Sequence, residues 1–247
     1  MNILVLQHEK VEHPGIFREF LAEDGHSWTA IELDEGEPLP SSLDGYDALW
    51  VLGGPMDVWQ EKEHPWLVAE KAFIKEAVEQ RGLPYLGLCL GHQLLAEALG
   101  GSCGPSEQPE IGVLDVQLTE EGASGIFLDD VPTTLKALQW HSAEIKTMPP
   151  GASCLATSDA CAVQAMCWGP RAYSLQFHVE IEADTVDTWS VIPEYRDALK
   201  AALGENGVDI MREAASAEMA NFNKYAERIY INWLQTAARP ASGAARM

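Results

Sequence analysis

One ten-residue stretch limits the fold more than any other part of the chain: Pro84-Tyr-Leu-Gly-Leu-Cys-Leu-Gly-His-Gln93. An apolar run, read as a strand, enters Gly87-Leu-Cys-Leu-Gly91, and an Ala/Leu-rich helix from Leu94 to Leu99 leaves it. A Gly-x-nucleophile-x-Gly turn between strand and helix is a nucleophile elbow of α/β architecture, with Cys89 where serine is more familiar. The turn holds its central residue in strained backbone geometry, so the flanking side chains must be absent, and glycine meets that need. Cys89 then stands at a helix N-terminus, where unpaired N–H groups and the helix dipole favour a thiolate. The N–H of Leu90 points where an oxyanion would form.

A reactive thiol needs partners and a reducing setting, and composition bears on the second. The five cysteines (Cys89, Cys103, Cys154, Cys161, Cys167) are odd in number and lack CxxC spacing, which argues against a disulfide framework or a zinc ribbon. The N-terminus carries no basic region and reads as a first strand rather than a signal peptide. No apolar stretch approaches a membrane span. We therefore expect a cytoplasmic protein whose thiols stay reduced. The net charge of −22, with 16 basic against 38 acidic side chains, argues against the clustered Lys/Arg surface that nucleic acid requires.

Taken in order, residues 2–6 form a short apolar strand, 16–21 have helical spacing, and 27–33 read as a second strand. Ala48-Leu-Trp-Val-Leu52 is a buried strand running straight into Gly53-Gly54-Pro55. Helical periodicity follows from Trp66 to Val78, stopping at Arg81-Gly82, and Tyr85 to Leu88 is the strand that leads to the elbow. This alternation implies βαβ units and a parallel sheet. After Gly100-Gly101 the pattern changes to short strands: 111–118, 134–140, 162–168 and 172–177. Helix is expected from Ala183 to Leu203 and, after a break at 204–207, from Val208 to Leu234. Residues 1–236 are read as one domain and 237–247 as a disordered tail.

A cysteine nucleophile needs a base, and the base needs a group to orient it. Among seven histidines the best placed is His178, in Ser174-Leu-Gln-Phe-His-Val-Glu180, at the end of a strand. Residues i and i+2 of extended chain face the same side, so Glu180 can reach the far imidazole nitrogen. Gly53-Gly54-Pro55 supplies a second candidate oxyanion donor, the N–H of Gly54, to act with that of Leu90. His92 is expected to bond locally rather than act as base. His8, Glu9 and His13 have HExxxH rather than HExxH spacing, which puts the histidines off a common helical face, so no zinc site is expected.

These segments resemble the class I, triad-type glutamine amidotransferases: Gly-Gly-Pro at 53–55, Gly-Leu-Cys-Leu-Gly-His-Gln at 87–93, and Gln-Phe-His-x-Glu at 176–180. Pro109-Glu-Ile-Gly112 and Gln139-Trp-His-Ser142 are weaker matches. The resemblance implies an α/β, flavodoxin-like three-layer sandwich with a central mainly parallel sheet, additional short strands and a helical C-terminal region. It implies a triad of Cys89, His178 and Glu180 acting on the γ-amide of glutamine or a γ-glutamyl amide, without cofactor or metal. Gln93 matches a glutamyl-binding position, and Gly53, His141 and Ser142 are expected to line the substrate pocket. Trp59, Trp66 and Trp140 are candidates for an aromatic wall around the amine portion. Val179 departs from the family, which usually has proline there. No GxxxxGK[ST] phosphate loop is present, so two readings stand: a stand-alone γ-glutamyl amide hydrolase, or a glutaminase subunit docking on a separate synthetase. The C-terminal helical region could cover the site, form a homodimer or dock that partner. A non-catalytic binding module would have no use for the triad.

Overall fold

A computed structural model describes residues 1–240. Its strands are β1 (Asn2–Gln7), β2 (Ser27–Glu32), β3 (Ala48–Val51), β4 (Tyr85–Leu88), β5 (Ser102–Leu118), β6 (Thr134–Thr147), β7 (Ala152–Thr157), β8 (Ala165–Trp168) and β9 (Ala172–Leu175). They join one sheet in the order β2-β1-β3-β4-β9-β8-β7-β5-β6. From β2 to β9 the pairings are parallel, and from β9 to β6 they are antiparallel. The sheet is therefore mixed, with a parallel core, where the sequence predicts a mainly parallel one. Two of the added strands are also long rather than short, β5 with 17 residues and β6 with 14.

The parallel strands are continuous apolar runs because both of their faces are covered. Every residue of β3 and β4 is buried. Alternation then sends Trp50 into a core on one face and Leu49 and Val51 into a core on the other. Helices α1 (Phe17–Glu23), α2 (Trp66–Lys75, continued by a π-helical turn over Glu76–Gln80), α3 (Leu90–Ala98), α4 (Glu120–Ser124), α5 (Thr185–Trp189), α6 (Pro193–Leu203) and α7 (Gly207–Ala237) complete the regular elements of the described chain. Helix α2 packs on α3, while α1, α5 and α6 pack on α7. The predicted helix from 183 to 203 is two helices. Ile192 is extended (φ −73°, ψ 126°) ahead of Pro193, which disfavours helix before itself and starts α6 in its first turn.

The long α7 fastens under the sheet. Trp233 meets Trp50 edge-on at 5.2 Å and donates to the Tyr85 carbonyl at 3.1 Å. Arg171 bridges the Gly82 and Ala237 carbonyls, each at 2.9 Å. Helix α7 thus runs to a buried Ala237, the first residue of the expected tail; residues 241–247 of that tail lie outside the described residues. Among the described residues no helix is long and apolar enough to cross a membrane.

Strand order reverses between β1 and β3, and in open α/β sheets such a reversal leaves a crevice at the carboxyl ends of the strands. The segments after β1, β3, β4 and β9 all leave the sheet at that end. They carry, in turn, His8 to Ile16, Gly53-Gly54, Cys89 and His178.

Candidate active site

Cys89 links β4 directly to α3 with φ 50° and ψ −102°, a left-handed value that a side chain rarely adopts. The strain is held by its surroundings: Cys89 N–H donates to Leu175 O of the neighbouring β9 at 2.8 Å, and Gly91 N–H to Leu52 O at 3.1 Å. A Cβ on Gly91 would fall 2.0 Å from the Val51 carbonyl oxygen, so only glycine lets the elbow press onto β3. Leu90, first in α3, has no backbone acceptor for its N–H among the described residues, as expected of a first-turn donor.

Because β9 lies beside β4, the segment after β9 reaches Cys89. The predicted strand through Phe177 stops at Leu175, and His178 is fixed instead by a two-bond bridge to Leu138 of β6, at 2.9 and 3.0 Å. Glu180 Oε1 meets His178 Nδ1 at 2.6 Å, as the i, i+2 spacing predicts. Its other oxygen accepts from the Val179 N–H at 3.0 Å. Proline has no N–H to give, so the departure at 179 supplies Glu180 with a donor. Burial works against the imidazolium, but the Glu180 charge and hydrogen bond, with Cys89 within range of the same ring, raise the His178 pKa well above its ordinary value. Trp189 of α5 closes the ring's flank, edge-on at 4.9 Å.

Gly54 borders the same pocket, and its N–H also lacks a backbone acceptor among the described residues. The preceding carbonyl is pinned: His8 Nδ1–H donates to Gly53 O at 2.9 Å, and His8 Nε2 meets Glu70 Oε1 at 2.8 Å. Both ring nitrogens of His8 are thus engaged, and the His8 and Glu70 side chains are fully buried. The His8 pKa is raised, since the Glu70 charge and bond outweigh burial. In a trans peptide the N–H of Gly54 then points away from His8. The sequence gives no sign that His8, Glu70 and a third buried polar side chain, Glu12, belong to the site, because nothing local marks a residue whose partners are dozens of positions away.

The pocket in front of Cys89 has a volume of about 360 Å³. Gln93, His141 and Ser142 line it, as expected, together with Trp140, Tyr195 and Glu194. Gln93 donates to Gln176 at 3.2 Å, and Gln176 in turn points its amide at Cys89 Sγ, 3.5 Å away. Gly53 lies behind the pocket wall rather than on it. Of the tryptophans, only Trp140 faces the space. Trp66 stacks on the His8 ring at 5.4 Å rather than facing a substrate, and Trp59 is outside the lining.

His92 is buried; its Nε2–H donates to Val163 O at 3.1 Å and its Nδ1 accepts from Ser174 Oγ at 2.8 Å. Burial pushes its pKa down to about 3, so it is a neutral strut. His13 sits on a loop, and no helix carries the HExxxH segment. Glu110, His141 and Cys161 bring an oxygen, a nitrogen and a sulfur within 4.8 Å. Gln164 already donates to a Glu110 oxygen at 2.6 Å, Cys161 Sγ–H is directed at Val163 O, and burial pushes the Cys161 thiol up to about 12, which disfavours the thiolate a metal would need. His141 Nε2 lies 3.2 Å from Glu110 but off the hydrogen-bond direction.

A thiol on an elbow, an imidazole braced by a carboxylate, and two free peptide N–H groups beside one pocket can carry out acyl transfer from an amide. Fold and site together are those of a cysteine-elbow α/β protein. The class I glutamine amidotransferase family model matches residues 20–190, and the chain belongs to that family. It is 28% identical over 233 residues to the glutamine amidotransferase-like protein YfeJ of Salmonella typhimurium, covering 93% of this chain and 95% of that one. It is 26% identical to gamma-glutamyl peptidase 3 of Arabidopsis thaliana, covering 69% of this chain and 71% of the relative. Identity to the GMP synthase of Aeropyrum pernix is 32%, over 77% of this chain but 40% of the relative. A glutamine amidotransferase from Methylobacillus flagellatus superposes with a TM-score of 0.83 at 29% identity, covering all of this chain and 98% of the other.

Proposed function

We propose that the protein is a cysteine-nucleophile hydrolase that cleaves the γ-amide of glutamine or of a γ-glutamyl amide. The observation that carries this is the alignment of Glu180, His178 and Cys89 at a pocket bordered by the free N–H groups of Gly54 and Leu90. The Cys89 thiolate attacks the γ-carbonyl carbon, and the carbonyl electron pair moves to oxygen, where both N–H groups receive it. The tetrahedral intermediate collapses with the C–N electrons leaving on nitrogen, which takes the proton from His178. A γ-glutamyl thioester remains and ammonia or an amine departs. Water then adds to the thioester as His178 accepts its proton, the C–S bond breaks, and glutamate leaves as the site returns to its starting protonation. Glu180 holds the imidazole and stabilises its charge without taking its proton. His8, by fixing the Gly53 carbonyl, keeps the Gly54 donor turned one way before substrate arrives.

The stand-alone reading is favoured by two observations. Relatives of nearly the same length align end to end, and α6 of this chain walls the pocket with Glu194 and Tyr195 while Trp189 of α5 covers the flank of His178. The GMP synthase likeness supports the second reading, a glutaminase subunit that delivers ammonia to a separate synthetase. A reducing, cytoplasmic setting suits five free cysteines. The test is glutamate release by the purified protein alone, from glutamine and from γ-glutamyl alkyl- and arylamides. Turnover of a substituted amide faster than glutamine, abolished in Cys89→Ala, is the expected result. Turnover that survives Cys89→Ala removes the cysteine from its role. Weak turnover that rises when a synthetase is added favours the second reading.

A further inference from the structure

The glycine turn after β3 leans on a carboxylate that the mechanism above does not use. Glu12, between β1 and α1, is 2% exposed. One oxygen accepts from the Tyr195 hydroxyl of α6. The other lies so close to Gly53 that a Cβ there would fall 2.0 Å from it, and the same Cβ would fall 3.6 Å from His178 Cε1. Glu12 Oε2 and the open edge of the His178 ring thus flank one atom position. That is inside the range of about 4–6 Å over which a charge acts strongly on an imidazole. The titratable groups facing Glu12 are Tyr195 from α6, His178 and Glu180 from the segment after β9, and His8 from the end of β1; no lysine or arginine is among them. Glu12 and Tyr195 both fall outside the residues matched to the family, 20–190.

We propose that Glu12 is a positioning residue that acts through His178: held by Tyr195 and wedged against Gly53, its carboxylate adds a second negative charge beside the imidazole and keeps it protonated to higher pH than Glu180 alone would. The proposal rests on reading Cys89, His178 and Glu180 as the reacting groups. Its consequence for the reaction is that the proton destined for the leaving amine is retained on His178 when Cys89 is a thiolate. Burial, opposed by the Tyr195 bond and by the charges of His178 and His8, pushes the Glu12 pKa up to about 7, so the second charge is itself present or absent near neutral pH.

The test needs no substrate, so it stands apart from whether any γ-glutamyl amide is turned over. The ring-nitrogen shifts of His178 are followed against pH in protein labelled with nitrogen-15 histidine, the signals being assigned by their loss in His178→Asn. In Glu12→Gln, checked for native fold by circular dichroism, the pH at which His178 loses its proton should fall by about one unit. A folded Glu12→Gln protein whose His178 titrates at the wild-type pH overturns the proposal, since replacing the carboxylate by an isosteric amide would preserve a packing role. Should Glu12→Gln not fold, Glu12→Asp, which keeps the charge but draws it back from the ring, is titrated the same way: its His178 should lose the proton at a lower pH than in the wild type, and a wild-type titration overturns the proposal.

Discussion

Replacing Glu12 by glutamine should make the protein more stable at alkaline pH while leaving it nearly unchanged in acid. The carboxyl group titrates near 4.5 when exposed and near 7 in the folded chain, mainly because burial penalises the charge. Between those values the unfolded chain has released the proton and the folded chain still holds it, so the folded state loses stability as pH rises through the window. Below 4.5 both states are protonated, and glutamine is a fair copy of the neutral acid. Above 7 the native protein carries a buried carboxylate whose difference from the amide amounts to about 3 kcal/mol at 1.36 kcal/mol per unit. For a chain of this length that corresponds to a rise of roughly 6–12 °C in Tm. Urea unfolding at pH 5 and pH 8, followed by the fluorescence of the eight tryptophans, gives both numbers. The gain should be small at pH 5 and near its full size at pH 8. An offset between wild type and Glu12→Gln that is the same at both pH values refutes the reasoning, because it would mean that the carboxyl group titrates alike in the folded and unfolded chains.

Glu70→Ala leaves the buried His8 Nε2 without its partner and should destabilise by about 1–3 kcal/mol in chemical denaturation at pH 7. Since the His8 pKa is raised on folding, its contribution is complete below pH 6.5 and is lost as pH rises through the folded value; in Glu70→Ala that slope should flatten. Gly15→Ala combines φ +54° with a Cβ 1.9 Å from the Glu180 carbonyl oxygen, so both Tm and amide hydrolysis should drop; no change in either would mean that the loop does not brace Glu180. Val179→Pro removes one donor to the Glu180 carboxylate, a bond worth about 1.5–3 kcal/mol, and should lower kcat while leaving KM largely unchanged. An unaltered kcat would show that the Nδ1 contact alone suffices.

The parts of the site legible in the sequence are those made by neighbours in the chain. The elbow is a five-residue pattern with a strand before it and a helix after it, and His178–Glu180 is a two-residue spacing. Family membership follows from the order of such patches, and the matched region bears it out. What the sequence hides is made by folding. Glu12 and Tyr195 are 183 positions apart, and His8 and Glu70 are 62 apart. The sequence predicts strand β5 from Ile111, but it begins at Ser102: Pro105 and Pro109 argue against strand, and the ladder absorbs them at an irregularity between Pro105 and Glu110. Strand β7, Ala-Ser-Cys-Leu-Ala-Thr, gives no signal in the sequence, since its small residues show no alternation strong enough to mark one face.

The strained backbone at Cys89 sets protein engineering a trap. Among the described residues only Cys89 and Asp130 carry a side chain at positive φ, and holding one there costs about 1–3 kcal/mol. Glycine relaxes that strain at the one position where a sulfur atom is indispensable to the proposed reaction. A mutant library sorted by expression level or heat resistance would therefore tend to enrich inert chains, and the fittest fold would be a dead enzyme. Selection for robustness and selection for turnover pull codon 89 in opposite directions.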